Sequence, residues 1–405
     1  MKLKQIPEDF KVTENSNLPF DESGPYSVYA LYKRNASTFE AVETLICRFN
    51  LLYKDISYSG LKDRTACTRQ YVAIYNGEQK TFRGKFYRLK YIGRMARQLN
   101  VSDIVSNGFD ITVRDLELGQ IDELRKNMEA VKLYGVPNYF DEQRFGSVRH
   151  NKGFVFEELM KGNYENALKL SIATPTVFDR SRRRWIKTGI NENWGNWEGI
   201  LANLPGFCPE RSIIKHLVKN PGDFINALNK YYRAELKMIL SIYPSMLWNE
   251  MIAEYVRKKY KKILSVPYSV GNFVFPLDAA KGVAIEELQQ MRVPMPNKDA
   301  VYEGDMKKIA EKVFRAHNIT QDSLELKDTD LFRLKGTRRR VFFFPEDVTM
   351  SEPEADEINE GKLKMKITFR IPSGCYATML IKRIAGEAQV EDNILRTNEI
   401  KSQEI

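Results

Sequence analysis

The sequence predicts an α+β fold: an antiparallel or mixed sheet with helices on one side, interrupted by a large mixed α/β insert. Three observations carry that expectation. Apolar and polar residues alternate in strand fashion near the start of the chain and again near its end. Helical periodicity with clear start and stop signals lies between the early strands. From about Asn151 the texture turns to long helix-like segments, and strand pattern returns at Gly336. The expected division is therefore 1–150 with 336–405 as one discontinuous domain and 151–335 as the insert, since 405 residues exceed a single typical core.

In chain order, Ile6 to Glu14 alternates from Phe10 and reads as a strand, and Tyr26 to Tyr32 as a second. A helix follows, with Ser37 as N-cap, Glu40 three residues on, and Phe39, Val42, Leu45, Ile46 and Phe49 on its core face. Ile56 to Ile74 reads as a short strand, a tight turn at Gly60 and a strand from near Gln70. Phe109, Ile111 and Val113 mark another half-buried strand. Ile121, Leu124, Met128 and Val131 mark a helix stopped by Gly135, with Pro137 just beyond. Tyr231 to Leu264 is expected to be largely helical, interrupted at Pro244. Asn272–Pro276 and Val293–Pro296 read as strand and loop. Near the end, Gly336 to Phe344 couples a basic turn to a buried strand, and Ser351 to Glu357 is an acidic loop. Lys364 to Ile371 then alternates cleanly, and Pro372 to Thr378 leads into a last helix.

A formal charge of +10 and a pI near 9.1 favour a polyanionic partner, nucleic acid before membrane. Four scattered cysteines and three histidines give no zinc spacing, so neither structural zinc nor a zinc deaminase is expected. No apolar run approaches the roughly 18 residues of a membrane helix. The first ten residues lack the apolar core of a signal peptide. A reduced, cytoplasmic monomer without metal or cofactor is the expectation.

Asp63 lies between Lys62 and Arg64 at the turn of the Ile56–Ile74 stretch. A carboxylate in a basic groove can act as a nucleophile or stabilise positive charge developing on a sugar; a plain turn residue is the alternative. In Pro137 to Gly146, Asn138, Tyr139, Phe140 and Arg144 could form a base pocket, aromatic faces stacking bases and Arg144 holding phosphate. Tyr139 and Phe140 could equally plug the core. Within the insert, Arg180 to Lys187 groups Arg182, Arg183 and Arg184 around Trp185, and Arg257 to Lys262 is a second basic run; both read as RNA-facing.

Pro7–Glu14, Ser59–Arg64, Asn138–Gly146, Gly336–Arg339 and Ile371–Thr378, in this order, resemble the TruD family of tRNA pseudouridine synthases, and the length and insert suggest an archaeal-type member. The resemblance implies a pseudouridine-synthase-like sheet domain in the two flanking parts, with a family-specific RNA-binding domain between them. It implies that Asp63 is the catalytic aspartate, that Phe140 stacks on the target uracil, and that Asn138 positions the carboxylate. It places Lys62, Arg64, Arg144, Arg338 and Arg339 in contact with RNA. It implies a tRNA substrate modified at the uridine in position 13, and no cofactor. One departure stands out: Lys382-Arg383 replaces the Arg-Glu usual after the Tyr-Ala-Thr segment. Two other classes remain compatible with composition. A non-catalytic RNA-binding protein would not need Asp63. A carboxylate-dependent base-cleaving enzyme would release free uracil.

Overall fold

A computed structural model describes residues 1–392 apart from 149–152, 177, 178, 180, 207, 232, 327–335, 387 and 389. His150 and Arg180 thus fall outside the described residues. By internal contacts the described chain separates into two compact units, Met1–Val136 with the segment that begins at Phe343, and Pro137–Phe342. These limits place the Asn138–Gly146 loop and Gly336–Arg339 with the second unit, earlier and later respectively than the changes of texture at Asn151 and Gly336.

The first unit is built on a mixed sheet. Its strands are β1 (Lys2–Leu3), β2 (Phe10–Ser16), β3 (Tyr26–Arg34), β4 (Ile56–Tyr58), β5 (Cys67–Tyr75), β6 (Phe82–Arg83), β7 (Tyr87–Met95) and β8 (Ile104–Leu116), joined by Glu346–Met350, Glu354–Ala355 and Leu363–Pro372 after the second unit. The main path runs Glu346–Met350, Leu363–Pro372, β8, β2, β5, β3, β7, β6. Neighbours are antiparallel except β2 and β5, which run parallel with Lys11 opposite Cys67 and Thr13 opposite Arg69. Period-two alternation explains why one face is covered: Met365, Ile367, Phe369 and Ile371 are all buried, while Lys366 is exposed.

Helix α1 (Thr38–Phe49) starts where the sequence predicts, because the Ser37 hydroxyl accepts from the Glu40 N–H and the Glu40 carboxylate from the Ser37 N–H. Val42 and Leu45 pack on Leu31, Val72 and Leu89 of the sheet. Phe39 is a correction: it is 51% exposed, lying edge-on to Tyr58 instead of in the core. Helix α2 (Leu118–Tyr134) stops at Gly135, whose φ of 70° lies in the left-handed region that favours glycine.

The second unit is mostly helical, with a hairpin of Ile263–Tyr268 and Gly271–Pro276 and a pair of Arg292–Pro294 with Arg338–Arg340. The expected long helix is two, Arg233–Leu240 and Ile242–Lys259. Pro244 sits in the first turn of the latter, where its missing N–H costs nothing, so the break falls before it. The helix ends at Lys259 and Leu264 already belongs to the hairpin.

Candidate active site

In the first unit, Asp63 sits on the connection between β4 and β5. The strands pair antiparallel, Ile56 opposite Ile74, and β5 starts at Cys67, so residues 59–66 form a loop longer than the expected tight turn. Its backbone is fastened from buried side chains. The Gln70 amide donates to the Gly60 carbonyl at 3.0 Å. The Lys62 N–H donates to the Thr38 hydroxyl at 3.0 Å, and that hydroxyl donates to Gln70 at 2.9 Å. The Lys33 ammonium, on β3, donates to the carbonyls of Asp63 at 2.7 Å and Ala36 at 2.8 Å. Because Thr38 opens α1, the helix start helps set the loop's position.

The Asp63 side chain is 34% exposed, and its carboxylate lies 3.3 Å from the Lys4 ammonium, which is fully buried. Lys4 also places its ammonium 4.3 Å from the centre of the Phe10 ring. Its φ of 55° is left-handed, a conformation costing a non-glycine residue about 1–2 kcal/mol. The ion pair and burial offset that cost, and such strain collects where a side chain must be held in one place.

The sequence neighbours of Asp63 are placed differently from the expectation. Lys62 is nearly buried, its ammonium 2.8 Å from the buried Glu14 carboxylate and 2.8 Å from the Asn107 side-chain oxygen, so its charge is held inside the unit. Arg64 is half exposed and pairs with Glu40 at 3.3 Å. The cation beside the carboxylate is Lys4, far from it in sequence and missed by reading adjacent charges.

In the second unit, Asn138 and Phe140 are buried at 2% and 8% exposure. Arg339 donates to the Asn138 side-chain oxygen at 2.8 Å, and the Asn138 amide donates to the Arg340 carbonyl at 3.2 Å. Arg339 thereby lies 4.1 Å over the Phe140 ring, with Arg144 at 5.3 Å and Trp248 packed edge-on at 5.8 Å. Arg144 also donates to the Ser241 hydroxyl at 2.6 Å. The backbone of Phe140 is held at both ends by buried Asn249, which accepts from its N–H at 2.8 Å and donates to its carbonyl at 3.0 Å. Tyr139 is a core residue, its hydroxyl donating to the Val274 carbonyl at 2.7 Å. Arg338 is exposed and donates to the Arg292 carbonyl at 3.0 Å.

The basic run of the insert is only partly at the surface. Lys187 is turned inward onto Asp179 at 2.9 Å, and Arg183 pairs with Glu235. Arg182 and Trp185 are exposed and Arg184 half exposed, on the helix Ser181–Glu192. Arg383, the departure from the resemblance, is buried on the helix Ala377–Ile384, 3.4 Å from the Asn127 side-chain oxygen.

The tRNA pseudouridine synthase D (TruD) family matches residues 1–384. The chain belongs to the TruD family of tRNA pseudouridine synthases. A relative from Methanococcus maripaludis, named probable tRNA pseudouridine synthase D 1, is 32% identical over 95% of this chain and 99% of its own length. The tRNA pseudouridine synthase D of Aquifex aeolicus is 29% identical over 95% of this chain and 98% of its own. The crystal structure of the TruD protein of Methanosarcina mazei superposes with a TM-score of 0.64 at 26% identity, covering 95% of this chain and 93% of that one. Archaeal proteins are thus among its relatives. As a TruD family member the chain is an isomerase that converts uridine to pseudouridine in tRNA. Among the described residues, no helix is long and apolar enough to cross a membrane.

Proposed function

We propose that Asp63 supplies the catalytic carboxylate of this isomerisation and that the target is the uridine at position 13 of tRNA. The observation that carries the assignment is the state of Asp63: a partly exposed carboxylate, held by the buried Lys4 ammonium at 3.3 Å, on a loop whose backbone is clamped by Lys33, Thr38 and Gln70. Isomerisation breaks the bond from sugar C1′ to base N1 and forms one from C1′ to C5; the C5 proton is lost and N1 gains one. Composition is unchanged, so the demand on the protein is a fixed carboxylate beside C1′ and a base held out of its stack. Position 13 rests on the family resemblance.

Phe140 is assigned the face on which the target uracil stacks, a contact worth about 1–3 kcal/mol per base. With 8% of the residue exposed, stacking requires the ring to be uncovered from its guanidinium neighbours. Asn138, whose side-chain oxygen accepts from Arg339, then holds that guanidinium once it has left the ring. Arg64, Arg144 and Arg338 are assigned to RNA contact. Residues 151–335, through Arg182 and Arg184 beside Trp185, contribute tRNA affinity and not chemistry.

The test is incubation of wild type and Asp63→Asn with tRNA transcripts, followed by carbodiimide mapping. Pseudouridine at position 13 made by wild type alone is the expected result. Appreciable activity in a folded Asp63→Asn protein removes Asp63 from the mechanism. Release of free uracil by wild type would move the protein to base cleavage.

A further inference from the structure

The sheet of the first unit has a second face, and its chemistry differs from that of the face carrying Asp63. Along β3, Leu31 and Lys33 point to α1 and the Asp63 loop, so Tyr32 and Arg34 point away. Along β5, Gln70 serves the loop and Arg69 points away; along β7, Tyr87 and Leu89 pack under α1 and Arg88 points away. Cross-strand register collects these outward residues into rows. Thr13, Arg69, Tyr32 and Arg88 lie opposite one another on four successive strands, and Lys11, Cys67 and Arg34 form the next row. Val28, Ala30 and Ala73 on this face are covered by Leu18, Met95 and Leu99. Beyond them the face opens into a groove of about 510 Å³, whose rim is completed by Lys85 at the β6–β7 turn.

Five cations turn their side chains to this groove, Lys11, Arg34, Arg69, Lys85 and Arg88, and no carboxylate lines it; Lys33 borders it, but its ammonium is turned to the Asp63 loop. Like charges crowded on one sheet face cost stability unless an anion lies against them. Of these five, Arg34 is relieved by an acid, Glu8. Among the described residues, Lys11, Lys85 and Arg88 have no carboxylate within ion-pair distance. Arg69 lies 5.4 Å from the centre of the Tyr71 ring and donates to its hydroxyl at 3.1 Å, while its buried Nε has no hydrogen-bond partner among the described residues. Arg88 lies 6.0 Å from the ring centre of Tyr32, which is 38% exposed and offers a stacking face.

We propose that this groove is a second docking surface for tRNA, taking the phosphate backbone of a part of the molecule distant from the target nucleotide. Charge complementarity selects the occupant. Cations spread over four successive strands suit the phosphates of one nucleic-acid backbone, and an exposed tyrosine between Arg69 and Arg88 suits an unstacked base. Its residues belong to the first unit, unlike Arg182 and Arg184, and within that unit it lies on the sheet face opposite the clamp that holds the Asp63 loop.

The experiment replaces Lys11, Lys85 and Arg88 together by glutamine and measures tRNA affinity between about 50 and 200 mM salt. Each phosphate neutralised by a protein cation contributes about 0.9 to the steepness with which log K falls against log salt. Three such phosphates therefore predict that wild type weakens about 40-fold more than the variant across that range. The effect on turnover is expected in KM, with a thermal midpoint that does not fall, since removing crowded like charges relieves the sheet. An unchanged affinity and slope overturns the proposal, as does an effect confined to kcat. The same titration on Arg182→Glu with Arg184→Glu tests the insert surface, and Asp63→Asn tests the catalytic assignment, so failure of either is distinguishable from failure of the groove.

Discussion

Two buried cations in the first unit invite comparison. Arg114, on β8, is 3% exposed and meets three carboxylates, Asp9 at 2.8 Å, Asp356 at 2.8 Å and Glu357 at 2.9 Å. Asp9 also accepts from the Ile6 N–H, and Asp356 from the N–H groups of Asp115 and Ile358. The cluster is closed around Asp9 and Asp356, with Glu357 at its exposed rim, and it ties the first residues of the chain to the segment that follows the second unit. Lys4 is as deeply buried, but the carboxylate it holds is a third exposed. One arrangement consumes its charge in holding the fold together; the other fixes a carboxylate and leaves it open to a substrate. Asp9 lies in the Pro7–Glu14 motif and Lys4 just before it, so this stretch combines a structural role with the support of an accessible carboxylate.

The largest expected effect sharpens that contrast. Asp63→Asn takes pseudouridine formation to background while tRNA affinity stays near wild type, since removing an anion does not weaken phosphate attraction. Arg114→Ala should do the reverse. Stranding Asp9 and Asp356 as buried charges costs about 3–5 kcal/mol, read as a lowered thermal midpoint, with activity retained in the fraction that folds. Asp63→Asn lowers the midpoint less, because the amide oxygen still accepts from Lys4. Equal midpoint losses in the two variants would erase the distinction between a closed and an open cluster.

A smaller effect separates holding from stacking in the second unit. Phe140→Ala removes a stacking face worth about 1–3 kcal/mol per base, so turnover falls while bulk tRNA binding, dominated by phosphates, changes little. Asn249→Ala removes the hydrogen bonds it makes to the buried N–H and carbonyl of Phe140, at about 1–3 kcal/mol each. It therefore lowers the thermal midpoint as well as turnover. A Phe140→Ala protein that melts like Asn249→Ala and turns over normally would return Phe140 to a core plug.

The sequence was most legible where local chemistry decides structure. The Ser37–Glu40 capping box, the Gly135 stop and the alternation through Met365, Ile367, Phe369 and Ile371 each depend on neighbours a few residues apart, and each is found as read. Asp63 and Phe140 were singled out by motif, but their surroundings were not. Lys62 and Arg64 adjoin Asp63 in sequence, yet on an irregular loop neighbouring side chains diverge, and theirs reach Glu14 and Glu40. Lys4, Lys33 and Asn249 come from elements remote in sequence from the groups they hold, 30 residues away for Lys33 and 109 for Asn249, a pairing that exists only after the sheet and helices have assembled. No charge pattern marks them beforehand. Phe39 matched the helical period, yet it lies in the first turn of α1 with its ring edge-on to Tyr58, and it is exposed.

The subtlest expected effect is a pH dependence arising at Lys33. Burial pulls its ammonium down to about 8, partly countered by the nearby charge of Asp63 and reinforced by Lys62; Glu40 and Cys67 also face it. The folded value lies below the ordinary 10.5, so the folded protein gives up this proton first. Between those values the unfolded chain binds more protons, and the contribution of Lys33 to stability rises with pH. The grip on the Asp63 loop moves the other way. A neutral amine still donates to the Asp63 carbonyl, but a hydrogen bond from a charged donor exceeds a neutral one by about 1 kcal/mol. Turnover of wild type should therefore fall several-fold as pH rises through about 8, without a matching fall in thermal midpoint. Lys33→Arg keeps its charge throughout that range and should lose this limb if the guanidinium still reaches the loop. A limb that persists in an active Lys33→Arg protein would assign it to another group and leave Lys33 a purely structural staple.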